Sequence, residues 1–490
     1  MGMQQEQRKI DNRQYNQRAL KSGFWYVFSE ILVRGVSFFA TPIYTRILST
    51  TVFGNVRIFE SWILILVPVI SLSLYNSIER AKLDFKEKYD AYISSIVTLM
   101  LILFASITVI FVIWKDLIKE WLSFSESMFW IFPMYGCAYV CILCMQKRER
   151  QMLNYKSNII ISILSVLPSV ILSITFLVLW KEKADDSILT DIRILGFYIP
   201  LILLGIGIIV IIFLRGRTFV NISYWRYGIT YSMPLIVYAV SVQVLYQSDK
   251  IMIQRIRGDS LAGIYSLATT VVYIIDILSN ALHGAWTPWL FERLDHRDRD
   301  EIWKVWWILC SGMAVLSWGI VMLAPEIIWF LGGAKYDEAK WLLGSMLSAG
   351  VFQFVMLLFV ALEKFYKKTR YSGWAGIISA GINVSLNGIC IYKFGYRAAA
   401  YTTAFSYLAS VFIHYLLISK YIGRENIPVK RILRFCLCVW GINILSMLSY
   451  YIPTYIRLSF MGILILLLFL CIRKKITKVV LQLAKERNEI

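Results

Sequence analysis

From residue 22 onward the chain alternates apolar stretches of about 20 residues, enough to cross the hydrocarbon core as a helix, with short polar breaks. Fourteen spans are expected, at roughly 22–45, 58–78, 92–114, 127–146, 157–180, 194–214, 229–247, 262–284, 305–324, 341–362, 371–392, 398–419, 435–452 and 458–472. The first 21 residues, MGMQQEQRKIDNRQYNQRALK, are polar and lack the apolar core of a cleavable signal peptide. The expected fold is therefore all-α and polytopic. It divides into a cytoplasmic amphipathic segment (1–21), a six-helix lobe (22–214), a second six-helix lobe (229–419), an appended helix pair (435–472) and a basic tail (473–490).

Composition agrees with lipid as the main solvent. The 490 residues are 58% hydrophobic and 17% charged, with mean hydropathy +0.62; a soluble domain carries roughly a quarter charged residues. The net charge of +20 is explained by topology. The N-terminal tail, the even-numbered loops and the C-terminal tail hold 35 of the 51 Lys and Arg, against 15 in the odd-numbered loops. That asymmetry places both termini in the cytoplasm and gives no reason to invoke nucleic acid. The tail RKKITKVVLQLAKERNEI reads as a basic amphipathic helix on the anionic inner leaflet. The cysteines of CAYVCILC (Cys137, Cys141, Cys144) sit in a greasy helix with no histidine near, so small buried hydrophobes fit better than a metal site or disulfides.

An internal repeat joins two of the polar corners. TRILSTTVFGNVRI (45–58) aligns with QRIRGDSLAGIYSL (254–267) at an offset of 209 residues. Arg46-Ile47 matches Arg255-Ile256, and Gly54 matches Gly263. Both copies lie between the first and second spans of a six-span block. Six is even, so the blocks share an orientation and suggest parallel repeats about a central cavity.

Charges within spans are costly and usually face a cavity or a partner. Glu30 and Arg34 lie four apart on one helical face; they are either a substrate site or a structural ion pair. Arg46 and Arg57 flank the first corner, where interfacial snorkelling is the simple reading, and Arg80 ends the second span. Glu60 and Asp276 are isolated acids suited to binding a proton or sodium. Asp276, Asn280 and His283 form a stripe at i, i+4, i+7 that is expected to face the cavity, interhelical hydrogen bonding being the alternative. In SDKIMIQRIRGDSLAGIYS (248–266), Asp249, Lys250 and Arg255 are expected at the outer mouth between the lobes, with Arg257 and Asp259 in a plain loop. Gly381, Ser385 and Gly388 form a small-residue packing face. His414 reads as a lone packing residue.

Three stretches together resemble the Wzx-type O-antigen and capsule repeat-unit flippases, within the superfamily that includes lipid II flippases and multidrug and toxin extruders. These are DKIMIQRIRGDSLAGIYS, TPIYTRILSTTVFGNV and YKFGYRAAAYTTAFSY (392–407); Arg397 departs from that pattern, where an apolar residue is usual. The resemblance implies transport of an undecaprenyl-pyrophosphate-linked oligosaccharide from the inner to the outer leaflet of a bacterial cell membrane by alternating access. It implies no cofactor beyond coupling to a proton or sodium gradient. Its implied partners are membrane lipids and, in the same pathway, a polysaccharide polymerase and a chain-length regulator. Arg34, Arg46, Arg57, Arg80, Lys250, Arg255, Asn280 and His283 are the candidates for pyrophosphate and sugar; Glu30, Glu60, Asp249 and Asp276 are the candidates for the ion. No catalytic or metal-binding set is expected, because the longest outer loops, such as KEKADDSILTDIR (181–193), are too short for a catalytic domain. A lipid II flippase shares this chemistry. A drug extruder for cations would want an acidic cavity, and a non-transporting scaffold would leave the buried charges unexplained.

Overall fold

The computed structural model describes residues 2–296, 299–423, 426–464 and 466, all helix, turn or irregular chain with no strand among them. In chain order the long helices are α1 (Gly2–Ile47), α2 (Thr50–Ile70), α3 (Tyr89–Ile113), α4 (Glu126–Gln151), α5 (Tyr155–Trp180) and α6 (Asp186–Gly216). Then follow α7 (Ile222–Arg257), α8 (Asp259–Asp295), α9 (Arg299–Met322), α10 (Leu343–Phe365), α11 (Thr369–Phe394), α12 (Ala398–Ile422) and α13 (Val429–Ser446), and a short α14 (Thr454–Leu464). Thirteen of the fourteen expected spans coincide with a helix among the described residues, and the last, 458–472, overlaps α14 and then runs beyond them. Eleven are long and apolar enough to cross a membrane, or twelve when α7 is taken whole. The two exceptions are α1, which carries Glu30 and Arg34 in its membrane-length stretch, and α14, which runs to the edge of the described residues. The expected tail helix at 473–490 lies outside them.

Local chemistry sets the helix ends. Ser49 starts α2 by accepting from the Val52 amide, and Ser125, Asp185 and Asn221 do the same for α4, α6 and α7. The α7–α8 corner turns on Gly258 at φ +95°, a conformation closed to side chains.

Packing divides the molecule. Phe59, Tyr92, Phe104, Phe129, Phe132 and their neighbours form one core among α2, α3, α4 and α6. Tyr265, Trp306, Tyr336, Phe352 and Phe359 anchor a second, built from α7 to α13. Helix α7 belongs to both. It bends by 50° between Met233 and Ile236. Before the bend, Tyr224 and Tyr227 pack edge-to-face against Phe85 and Tyr92, and Trp225 Nε1 donates to Ser95 O at 2.9 Å. Beyond it the helix packs on α11 and α2.

The two halves meet at the repeated corners. A Cβ on Gly54 would sit 2.1 Å from Asp259 O, and one on Gly263 would sit 2.2 Å from Thr50 O. The glycines matched by the repeat are therefore a backbone-to-backbone approach of α2 to α8, which only hydrogen-sized side chains permit. Around them Thr50 and Ser260 share a 2.7 Å hydrogen bond, Thr45 Oγ1 donates to Leu331 O at 2.5 Å, and Lys335 Nζ donates to Leu48 O at 2.5 Å. This end of the bundle is sealed.

Candidate functional site

Below the sealed corner lies a cavity of about 590 Å³, walled by α1, α2, α4, α6 and α8. Its polar lining comprises Arg34, Ser37, Arg57, Glu60, Tyr135, Tyr139, Tyr198, Thr270 and Tyr273. Past the cavity, away from the corner, Val69 on α2 and Asn280 and Gly284 on α8 are exposed.

Both cavity arginines hold a carboxylate. Arg34 Nη2 donates to Glu30 at 2.9 Å, and Arg57 Nη1 donates to Glu60 at 2.7 Å while its guanidinium lies 4.9 Å from the Phe53 ring centroid. The fourfold spacing of Glu30 and Arg34 is met as a helical ion pair; Arg34 lines the cavity and Glu30 is exposed beside it. The tyrosines form a continuous wall: Tyr135 lies 4.5 Å from Tyr198 and 5.7 Å from Tyr139, centroid to centroid. Flat aromatic faces with hydroxyl tips suit the apolar faces and hydroxyls of sugars. Sequence reading missed this wall; Tyr135 and Tyr139 at i, i+4 in an apolar helix were its only signal.

The other candidates scatter. Arg46 is exposed on the last turn of α1. Arg80 is exposed and paired with Asp84 at 3.2 Å. Arg255 reaches across the sealed corner, its Nη2 3.3 Å from Glu120 O. Asp276 is turned into the second half, where Tyr246 hydroxyl donates to it. Asn280 is exposed, and half-buried His283 neighbours Thr287 on its own helix, whose hydroxyl donates to the His283 carbonyl at 2.6 Å. The expected stripe keeps one face but splits among three environments, because its members stand about 6 and about 10 Å apart along α8 and meet different neighbours at each depth.

Asp249 and Lys250 are not at a mouth. They are 3% and 4% exposed, because α7 continues two turns beyond them. Lys250 Nζ donates to Gln247 Oε1 at 2.8 Å, and the same oxygen accepts from Ser61 Oγ of α2 at 3.1 Å, joining the halves. Asp249 sits at the centre of a neutral network. It accepts from Tyr265 hydroxyl at 2.6 Å, Asn387 Nδ2 at 2.6 Å and Thr403 Oγ1 at 2.5 Å. Asn383 links to Asn387, Thr403 and Ser248. A void of about 30 Å³ beside it is bounded by Asp249, Thr269, Gln353 and Tyr407 among others, room for one water or small ion.

The buried face of α11 is this Asn383–Asn387 face. The expected packing face is the other one: Gly381 and Ser385 are exposed, and a Cβ on Gly381 would meet nothing within 4 Å. The plain-loop reading also fails. Arg257 donates to Ile391 O and Tyr392 O at 3.0 and 2.6 Å, closing the end of α11, and Asp259 opens α8 against Gly54. His414 is buried but not alone, its Nδ1 2.7 Å from Glu363 Oε1. Arg397 faces outward before α12 and pairs with Glu338 at 3.2 Å. Cys141 and Cys144 are buried free thiols.

Residues 19–294, more than half of the chain, match the family described as Polysaccharide biosynthesis protein. The chain belongs to that family. Within curated sequences, this polysaccharide biosynthesis protein is similar to Lsg locus putative protein 1 of Haemophilus influenzae, 25% identical over 168 residues. That match takes in 32% of this chain and 40% of the relative, so the chain spans less than half the length of the protein it matches. Among solved structures, its fold is similar to that of the lipid II flippase MurJ in an inward closed conformation. There the TM-score is 0.63 at 14% identity, covering 92% of this chain and 99% of the other. An inward-facing multidrug resistance MATE family transporter of the MOP superfamily gives 0.61 at 12%, covering 80% and 94%. The fold is that of this superfamily of multi-pass membrane transporters.

Proposed function

We propose that the chain is a flippase for an undecaprenyl-pyrophosphate-linked oligosaccharide repeat unit, moving it from the cytoplasmic to the outer leaflet of the bacterial inner membrane. The observation that carries this reading is the cavity between the halves, with Arg34 and Arg57 on its wall beside four tyrosines. Such a substrate presents two phosphates and a hydroxyl-rich glycan that hydrocarbon rejects. Cations meet the phosphates and aromatic faces meet the sugars. With both termini cytoplasmic, as the loop charges favour, the sealed corner is the outer gate and the substrate enters from within. The family match and the likeness to a lipid II flippase support the reading.

Alternating access then requires the Gly54–Gly263 corner to open while the far side closes. A driving ion fits best at Asp249, a buried carboxylate held by two hydroxyls and an amide from three other helices; Glu30, Glu60 and Asp276 are the other acids. The chain acts on the lipid-linked unit without chemistry, delivering it to a polymerase and chain-length regulator for O-antigen, capsule or exopolysaccharide. The drug-extruder reading, which wants an acidic cavity, is disfavoured by a lining that holds Arg34 and Arg57 against Glu60 alone. The test is complementation of a flippase-deficient strain. Arg34→Ala should insert normally and give no surface glycan; wild-type glycan from that variant would overturn the assignment.

A further inference from the structure

A second hollow lies outside the cavity between the halves and shares no residue with it. It is a groove of about 590 Å³ between α4 and α6. Its polar residues, Glu126, Ser127 and Asp191, gather at one end, within the first two turns of the two helices. Beyond them the walls are apolar, and Trp130, Met134, Leu195, Ile199 and Leu203 are exposed along them. From Asp191 to Leu203 the groove follows about 18 Å of helix, close to half of the ~30 Å hydrocarbon core. With both termini cytoplasmic, the chain between α3 and α4 and that between α5 and α6 lie on the outer face. The groove then runs from the outer interface to the middle of the bilayer, the depth of one leaflet.

The rim carries both signs of charge. Lys115 and Lys119, on the short helix Lys115–Leu122, donate to the two oxygens of Glu126 at 2.6 and 2.7 Å, and Trp130 Nε1 donates to the same carboxylate at 2.9 Å. Two ammonium groups on one carboxylate leave an excess of positive charge. Beside them, Asp191 accepts from the Ser125 and Ser127 hydroxyls on a single oxygen. Among the described residues no basic side chain pairs with Asp191, and its other oxygen takes no hydrogen bond. A positive and a negative spot therefore stand together above an apolar slot. Trp114, Leu117 and Trp121 of the short helix are exposed, as suits a segment seated at the membrane interface.

We propose that this groove binds an aminophospholipid of the outer leaflet, of the phosphatidylethanolamine type. Its phosphate meets Lys115 and Lys119, its ammonium donates to the open oxygen of Asp191, and one acyl chain fills the slot between α4 and α6. Headgroup charge decides among lipids. An anionic phospholipid would set its charge against Asp191 with nothing to offer that carboxylate. A choline headgroup keeps the positive charge but has no N–H to donate.

The test is native mass spectrometry of the purified full-length protein, stripped of lipid in detergent and titrated separately with phosphatidylethanolamine, phosphatidylglycerol and phosphatidylcholine of identical chains. Phosphatidylethanolamine should bind about tenfold more tightly than the other two, the range for one charged hydrogen bond. Asp191→Asn should bring it down to the level of phosphatidylcholine, and Met134→Trp, which fills the slot, should weaken all three. Equal affinities in the unaltered protein, or tighter phosphatidylglycerol, would overturn the proposal. So would a preference that survives Asp191→Asn, or binding untouched by Met134→Trp, which would put the lipid elsewhere. If Asp191→Asn does not fold, stepwise N-methylation of phosphatidylethanolamine makes the same comparison on the unaltered chain, affinity falling as N–H donors are lost. No residue of the cavity takes part, so the outcome is independent of whether Arg34→Ala abolishes surface glycan.

Discussion

Replacing Gly54 with alanine should unseal the corner. The added Cβ would lie 2.1 Å from Asp259 O and 3.0 Å from Gly263 N, where ordinary contact begins at 3.4 Å. Both obstacles are backbone, so no side chain can swing aside; α2 and α8 must part by about 1 Å. Overpacking of this kind costs about 1–3 kcal/mol, borne only by the state in which the corner is shut. Shifting a two-state equilibrium by that amount changes the ratio of states about 5- to 150-fold. The closed population can be read from disulfide yield between Thr50→Cys and Ser260→Cys, whose native hydroxyls are 2.7 Å apart, with the linked peptides identified by mass spectrometry. Yield should drop steeply with Gly54→Ala. Gly207→Ala on α6, where a Cβ meets nothing within 4 Å, should leave it unchanged. An undiminished yield in Gly54→Ala would show that the corner is not a gate.

Three further outcomes are expected. Lys335→Met removes the hydrogen bond to Leu48 O and should lower the same cross-link yield, less than Gly54→Ala does because one bond rather than a steric wall is lost. Asp249→Asn should leave the protein folded and abolish the dependence of transport on a proton or sodium gradient; a surviving dependence moves the ion site to Glu60 or Asp276. Glu363→Leu strands the His414 ring nitrogen and the Ser372 hydroxyl, both of which bond to that carboxylate in the buried core. It should lower thermal stability by about 1–3 kcal/mol for each donor left unpaired, seen as a reduced melting temperature with pyrophosphate binding intact.

Much of the architecture was legible before any coordinates, because lipid imposes a one-dimensional rule: backbone groups must be satisfied within the segment, so a long apolar run is a helix. The spans, the corner between α1 and α2, and its repeat between α7 and α8 all follow from local order. So does the Glu30–Arg34 pair, since four residues is one helical turn. The Arg46–Gly54 repeat was also sound as a pattern. Its meaning, two glycines pressed together across the molecule, was not in it.

Partners distant in sequence belong to the tertiary structure alone. Asp249 meets Tyr265, Asn387 and Thr403 across 16, 138 and 154 residues, and no spacing rule connects them. The same holds for Lys250, expected at the outer mouth between the lobes but buried because α7 runs on past it. A run of apolar residues determines that a helix forms and crosses. Whether a polar residue on it faces lipid, cavity or another helix is decided by packing, since the energy of a charge depends on what surrounds it in space and not along the chain.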